Sequence, residues 1–191
     1  LRGHSALTRR GNGLRSPVRV VVLTGPSNGG KTETTIALVD ELRSADIPVS
    51  GFVQPGEFEK GSKTGFRLRD VATGDEASLA TLGERVGGDF GTRFRFSDGG
   101  FRLGREALAH IAPGSIVIID ELGPVELRGH GHMPAVRRAM AGPDLQGAVV
   151  VVRRALVPSL LVELDASDAV VIDVEELAEG SVEAIIAALG L

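Results

Sequence analysis

Residues 25–32 read Gly-Pro-Ser-Asn-Gly-Gly-Lys-Thr, a GxxxxGK[ST] pattern that tolerates few structural settings. It needs a strand before it and a helix after it, because its backbone N–H groups must converge on one point where a helix begins. The flanks meet that demand. Val18 to Thr24 (VRVVVLT) has the composition of a buried strand, and Lys31 to Ala45 carries helical apolar spacing at Ile36, Ala37, Val39 and Leu42. Each residue then has a chemical reason. Gly25, Pro26, Ser27, Asn28, Gly29 and Gly30 form a loop whose amides can cradle phosphate oxygens, with Gly25 and Gly30 required by the backbone. Lys31 reaches β- and γ-phosphates, and the Thr32 hydroxyl can ligate Mg²⁺. Lysine is scarce here, 3 residues against 18 arginines, and one of the three stands in this loop.

Composition bounds the rest. A chain of 191 residues with 42% hydrophobic content can bury one substantial core, so residues 18–191 are expected to form a single domain. Residues 1–17 hold Arg2, Arg9, Arg10 and Arg15, no acid and little apolar periodicity, and are expected to be a disordered basic tail. The net charge of −4 gives no general electrostatic reason to expect nucleic acid or an anionic membrane as partner. The absence of cysteine excludes disulfides, thiolate metal sites and a cysteine nucleophile, and suits a reducing compartment. With no apolar run of membrane-spanning length and no signal-peptide core, a cytoplasmic protein is expected.

Along the chain, Ile47 to Val53 reads as a second strand and Gly56 to Gly65 as a polar turn. Gly65 to Val71 alternates apolar and charged residues, as a half-exposed antiparallel strand does, and Glu76 to Leu82 can return as the third strand of a meander. Arg93 to Phe96 alternates again. Asp98-Gly99-Gly100 reads as a break before an amphipathic helix over about 101–111. The run Ile116 to Asp120 is continuous and apolar, like a central parallel strand buried on both faces. A helix near 134–140, a strand over 148–152, a short helix over 158–164, a strand over 169–174 and a helix over 182–189 complete a strand–helix alternation.

In an open parallel sheet, ligands collect at the carboxyl ends of strands, where both the Gly25–Thr32 loop and Asp120-Glu121 emerge. The two are expected to meet. Asp120 stands where a carboxylate would hold Mg²⁺, directly or through water and Thr32, and Glu121 can orient and polarise an attacking water. At these residues the chain resembles the P-loop nucleoside-triphosphatases first described in thermophiles, whose eukaryotic member is called cancer-related nucleoside-triphosphatase. GPSNGGKT at 25–32, GFVQPGEFEKGSKTGFRLRD at 51–70, VIIDELGPVEL at 117–127 and VVVVRR at 149–154 carry the resemblance. It implies an α/β fold of the P-loop NTPase type: a RecA-like, mostly parallel sheet flanked by helices, with an antiparallel hairpin or meander after the first helix. It also implies Mg²⁺-dependent hydrolysis of several nucleoside triphosphates, ATP and GTP among them. Under it, Lys31 and Thr32 become phosphate and metal residues, Asp120 the Walker-B acid and Glu121 the general base. The chain departs from the family at Glu59, where basic residues are common, and at Pro124, often lysine.

Arg153 and Arg154 leave their strand at the same edge, so one of them, assigned here as Arg154, can stabilise charge on the transferring phosphoryl group as an internal arginine finger. His130 and His132 have metal-compatible spacing but no evident third ligand, and are expected in a flexible loop; Arg137 and Arg138 are expected on a solvated helix face. Three functions compete. Hydrolysis of a nucleoside triphosphate leads. A small-molecule kinase would need an acceptor pocket, and a glutamate directly after the metal-binding aspartate argues against it. A nucleotide-dependent switch or assembly factor would turn over slowly without its partner. The asparagines, Asn12 and Asn28, begin no guanine-reading Asn-Lys-x-Asp motif, so broad base use is expected.

Overall fold

The computed structural model describes residues 18–83, 92–142, 145–177 and 180–191; the expected basic tail lies outside them. Strands β1 (Arg19–Thr24), β2 (Val49–Val53), β3 (Gly56–Glu59), β4 (Ser62–Asp70), β5 (Glu76–Leu82), β6 (Phe94–Phe96), β7 (Ile116–Leu122), β8 (Gly147–Val152) and β9 (Val170–Asp173) form one sheet. Helices α1 (Lys31–Ser44), α2 (Asp98–Ala109), α3 (Met133–Met140), α4 (Val157–Glu163), α5 (Val174–Leu177) and α6 (Ser181–Leu189) connect and cover it.

The sheet runs β6-β5-β4-β2-β7-β8-β1-β9, with β3 hydrogen-bonded to β4 alone. From β2 to β9 the pairs are parallel, and from β2 through β6 antiparallel. This is the mostly parallel architecture with an antiparallel extension that the sequence implies. β7 and β8 are completely buried but for Glu121, as continuous apolar runs in a two-sided parallel sheet must be. Their alternate residues feed two cores. Val22, Ile119, Val150 and Val152 pack on one face with Met133, Val136 and Leu160 from α3 and α4. Val21, Leu23, Ile118, Val149 and Val151 pack on the other with Leu38 and Leu42 of α1 and Ile185 of α6.

Two local readings change. Residues 56–65 are not a turn but a tight hairpin, β3 and β4 joined by Lys60-Gly61, whose φ values of 48° and 78° suit the right-handed twist of the strands. Glu57, Glu59, Lys60 and Lys63 hide the strand pattern because the hairpin's outer end has no core face. Nor does Gly99-Gly100 break the chain. Both belong to the first turn of α2, where the Ser97 side chain accepts the Gly100 amide at 3.4 Å. A Cβ on Gly100 would lie 2.6 Å from Leu79 Cα, so glycine lets α2 approach β5. Among the described residues, no helix is long and apolar enough to cross a membrane.

Candidate functional site

The loop leaves β1 at Gly25, whose φ of 151° and contact with Val174 leave no room for a side chain. Asn28 and Gly30 also take positive φ, and the Gly29 amide donates to the Pro26 carbonyl at 3.1 Å. The loop ends at Gly30, directly before α1 begins at Lys31. Lys31, 6% exposed, folds back over the loop, its ammonium donating to the carbonyls of Pro26 at 2.6 Å and Gly25 at 3.3 Å. A lysine so held is fixed at the loop mouth without searching rotamers.

Strand β8 separates β1 from β7, so the loop and Asp120 start about two strand spacings, roughly 10 Å, apart. The first turn of α1 closes that gap. Thr32 Oγ1 donates to Asp120 Oδ1 at 3.4 Å, and the backbone amide of Gln54, just beyond β2, donates to Asp120 Oδ2 at 3.0 Å. Asp120 is fully buried, and burial pushes its carboxyl up to about 6; the Gln54 amide pulls it down and the neighbouring Glu121 charge pushes it further up. A buried carboxylate beside a hydroxyl, in no ion pair among the described residues, is an all-oxygen donor set suited to a hard divalent cation.

Glu121 follows on β7, its carboxylate accepting the Arg153 guanidinium at 3.0 Å, while the Gln54 side-chain amide donates to its carbonyl at 3.4 Å. Ser27 to Glu33, Gln54, Lys63, Glu121 and Arg153 line a cavity of about 220 Å³. The structure thus brings Gly29, Gly30, Lys31, Thr32, Asp120 and Glu121 into one place.

The two arginines part company. Arg153 faces the cavity, whereas Arg154 is held by Asp173, at 2.6 Å, and by Glu175, at 2.9 Å, two carboxylates that raise its already high pKa. The Arg154 guanidinium is thus engaged on the β9 side, and Arg153 stands beside Glu121. The reading of His132 is corrected. This residue heads α3 rather than a flexible loop, 1% exposed, with its ring 4.7 Å from Phe52 and 5.1 Å from Phe101. Its Nδ1 lies 3.7 Å from the buried carboxylate of Glu126, whereas His130 is exposed. Among the described residues, no three metal-ligating His, Cys, Asp or Glu side chains cluster. Arg137 is exposed and pairs with Glu163.

Sequence reasoning missed Gln54 and Lys63. Gln54 acts through its backbone, which no residue type announces. Lys63 stands opposite Phe58 in the hairpin and lines the cavity, its ammonium 4.7 Å from the Phe66 ring centre; burial lowers its pKa first, against the raising effect of Glu121. Recognising the hairpin would have placed it; Gly61 between Phe58 and Phe66 was its signal, while Lys60, which also takes a positive φ, is not a residue type that announces such a turn.

Two solved structures share the fold. The solution structure of a human cancer-related nucleoside triphosphatase superposes with a TM-score of 0.71 at 22% identity, over 90% of this chain and 97% of that one. The crystal structure of THEP1 from the hyperthermophile Aquifex aeolicus gives 0.68 at 22% identity, over 90% and 99%. In sequence, the nucleoside-triphosphatase THEP1 of Thermofilum pendens is 33% identical over 120 residues, 62% of this chain and 66%, just under two thirds, of that protein. The mouse cancer-related nucleoside-triphosphatase homolog is 30% identical over 139 residues, covering 66% of this chain and 72% of its own. The family model described as NTPase matches residues 20–187, nearly all of the described chain. The chain belongs to this NTPase family.

Proposed function

We propose that the chain hydrolyses nucleoside triphosphates to the diphosphate and phosphate, with Mg²⁺, and accepts ATP, GTP and other bases alike. The observation that carries this is the approach of the Thr32 hydroxyl to the Asp120 carboxylate at the mouth of the phosphate loop, with Glu121 lining the same cavity. Thr32 and Asp120 would hold the metal, a number of protein ligands that suits magnesium with phosphate oxygens and water completing its shell. A magnesium ion held by these two residues would supply charge neutralisation for the β- and γ-phosphates.

The chain's own residues do the rest. The loop amides and Lys31 grip the triphosphate by charge and hydrogen bonds that contact no base, which supports broad base use. Glu121 accepts a proton from the attacking water as the water oxygen bonds to the γ-phosphorus and the β–γ bridging oxygen leaves with the diphosphate. Arg153, released from Glu121, meets the charge gathering on the phosphoryl group. The absence of cysteine is consistent with a cytoplasmic location. Phosphate release from ATP, GTP, CTP and UTP, with and without Mg²⁺, tests the reading. It expects turnover of all four that stops in EDTA; turnover unaffected by EDTA contradicts it.

A further inference from the structure

Beyond Glu121 the loop cavity opens into a larger chamber of about 450 Å³, within the range that holds drug-sized molecules. The two share Ser27, Asn28, Gln54, Lys63, Phe66, Glu121 and Arg153. The rest of the chamber is different in kind. Phe94 stands edge-on to Phe66, with centroids 5.0 Å apart, and Phe96 stacks on Phe101 at 5.3 Å. Its floor holds two polar groups that the hydrolytic reading leaves unused. Glu126, 6% exposed, accepts the amides of Gly123 at 3.0 Å and His132 at 3.5 Å, and both ring nitrogens of His132 are buried without a hydrogen-bond partner among the described residues. Unpaired polar groups at that depth cost stability unless something uses them.

Position tells what the chamber can receive. In an in-line displacement the attacking and leaving oxygens lie on opposite sides of the γ-phosphorus. Gly25 lies beside Asp173 at the β9 side, and Glu121 lines the chamber; a triphosphate with its γ end at Glu121 and its diphosphate toward Gly25 would leave the chamber on the attacking side.

We propose that the chamber binds a phosphoryl acceptor, a planar heteroaromatic molecule of nucleoside size carrying a primary hydroxyl, so that the chain is also a small-molecule kinase. This rests on the triphosphate reading above. Phe66, Phe94 and Phe101 sandwich or edge the ring, and the Glu126 carboxylate accepts a ring N–H or amino group. The hydroxyl then takes the place of water. Its oxygen bonds to the γ-phosphorus, the bond from phosphorus to the β–γ bridging oxygen breaks with the electron pair leaving on the diphosphate, and the hydroxyl proton passes to Glu121. The products are a phosphomonoester and a nucleoside diphosphate. An empty chamber admits water, and the same glutamate then directs hydrolysis.

The test supplies γ-labelled ATP and Mg²⁺ with each of the four ribonucleosides and follows label into nucleoside 5′-monophosphate and inorganic phosphate. The expectation is transfer to at least one ribonucleoside, reduced at least tenfold in Phe94→Ala and in Glu126→Gln, with hydrolysis in the absence of nucleoside within twofold of the parent. Phe94 is only half-buried, so that variant should keep its fold. If the parent releases inorganic phosphate alone with all four nucleosides, the acceptor proposal falls while the hydrolytic reading stands. If Phe94→Ala raises the KM for ATP tenfold, the chamber holds the base of the triphosphate and the proposal is overturned. A parent that neither hydrolyses nor transfers sinks both.

Discussion

Asp120→Asn should stabilise the metal-free protein while disabling it. The Asp120 carboxyl is fully buried and its pKa stands at about 6 against an ordinary 3.8. A folded-state acid with a raised pKa costs stability once it ionises. Below 3.8 it is protonated in both states and costs nothing; between 3.8 and 6 the unfolded form loses its proton first; above 6 the cost is constant. A difference of roughly 2 units corresponds to ~3 kcal/mol. Asparagine keeps one oxygen for the Gln54 amide and presents an amino group to Thr32, so the geometry survives and the charge goes. Urea denaturation in EDTA should therefore show Asp120→Asn more stable than the parent by ~2–3 kcal/mol at pH 8, with the gain shrinking toward zero near pH 4. Saturating Mg²⁺ should raise the parent's midpoint at pH 8 and leave the variant's unchanged, because only the carboxylate draws the cation. A variant less stable than the parent at pH 8, or a difference that does not change between pH 8 and pH 4, would refute the argument that an uncompensated buried charge awaits a cation there.

Other outcomes follow from the same geometry. Lys31→Ala should keep its fold by circular dichroism but lose triphosphate binding by titration and with it turnover, since the ammonium over the loop is the side-chain cation fixed there by two carbonyls. Arg153→Ala should lower kcat at least tenfold, whereas Arg154→Ala, whose guanidinium is engaged by Asp173 and Glu175, should stay within threefold; the reverse order would restore the finger to Arg154. ATP and GTP should be used with similar kcat/KM, and a thousandfold preference for either would show that the base is read.

Much of this site was legible in the sequence because its parts are local. The glycines, Lys31 and Thr32 act within one loop, and a buried strand ending in Asp120-Glu121 announces itself by an unbroken apolar run. What escaped depends on tertiary contacts. Arg153 and Arg154 are adjacent in sequence, and only the 3-10 turn after β8 sends one toward Glu121 and the other toward β9. His132 lies in a stretch of glycines and histidines that looks solvent-bound, yet α2 lacks a side chain at Gly104, where a Cβ would sit 2.3 Å from His132 Nε2, and the ring fills that space. Gln54 contributes its backbone amide, and its residue type is nearly irrelevant to that bond. The antiparallel extension was visible as alternation in β4 and β5 but lost in β3, where exposure on both faces removes the apolar signal.

The central claim is that nucleotide binding rests on the loop, Lys31, Thr32 and Asp120, while Glu121 drives the attack of water. Glu121→Gln keeps the shape and hydrogen-bonding reach of the side chain and removes the charge that accepts a proton, an effect of ~10²–10⁴ in rate. The paired measurement is triphosphate affinity by titration and phosphate release in a single turnover, for the parent and for Glu121→Gln. The account predicts affinity within about threefold of the parent and hydrolysis slowed by ~10²-fold or more. Hydrolysis at the parent's rate in a variant that still binds would contradict it.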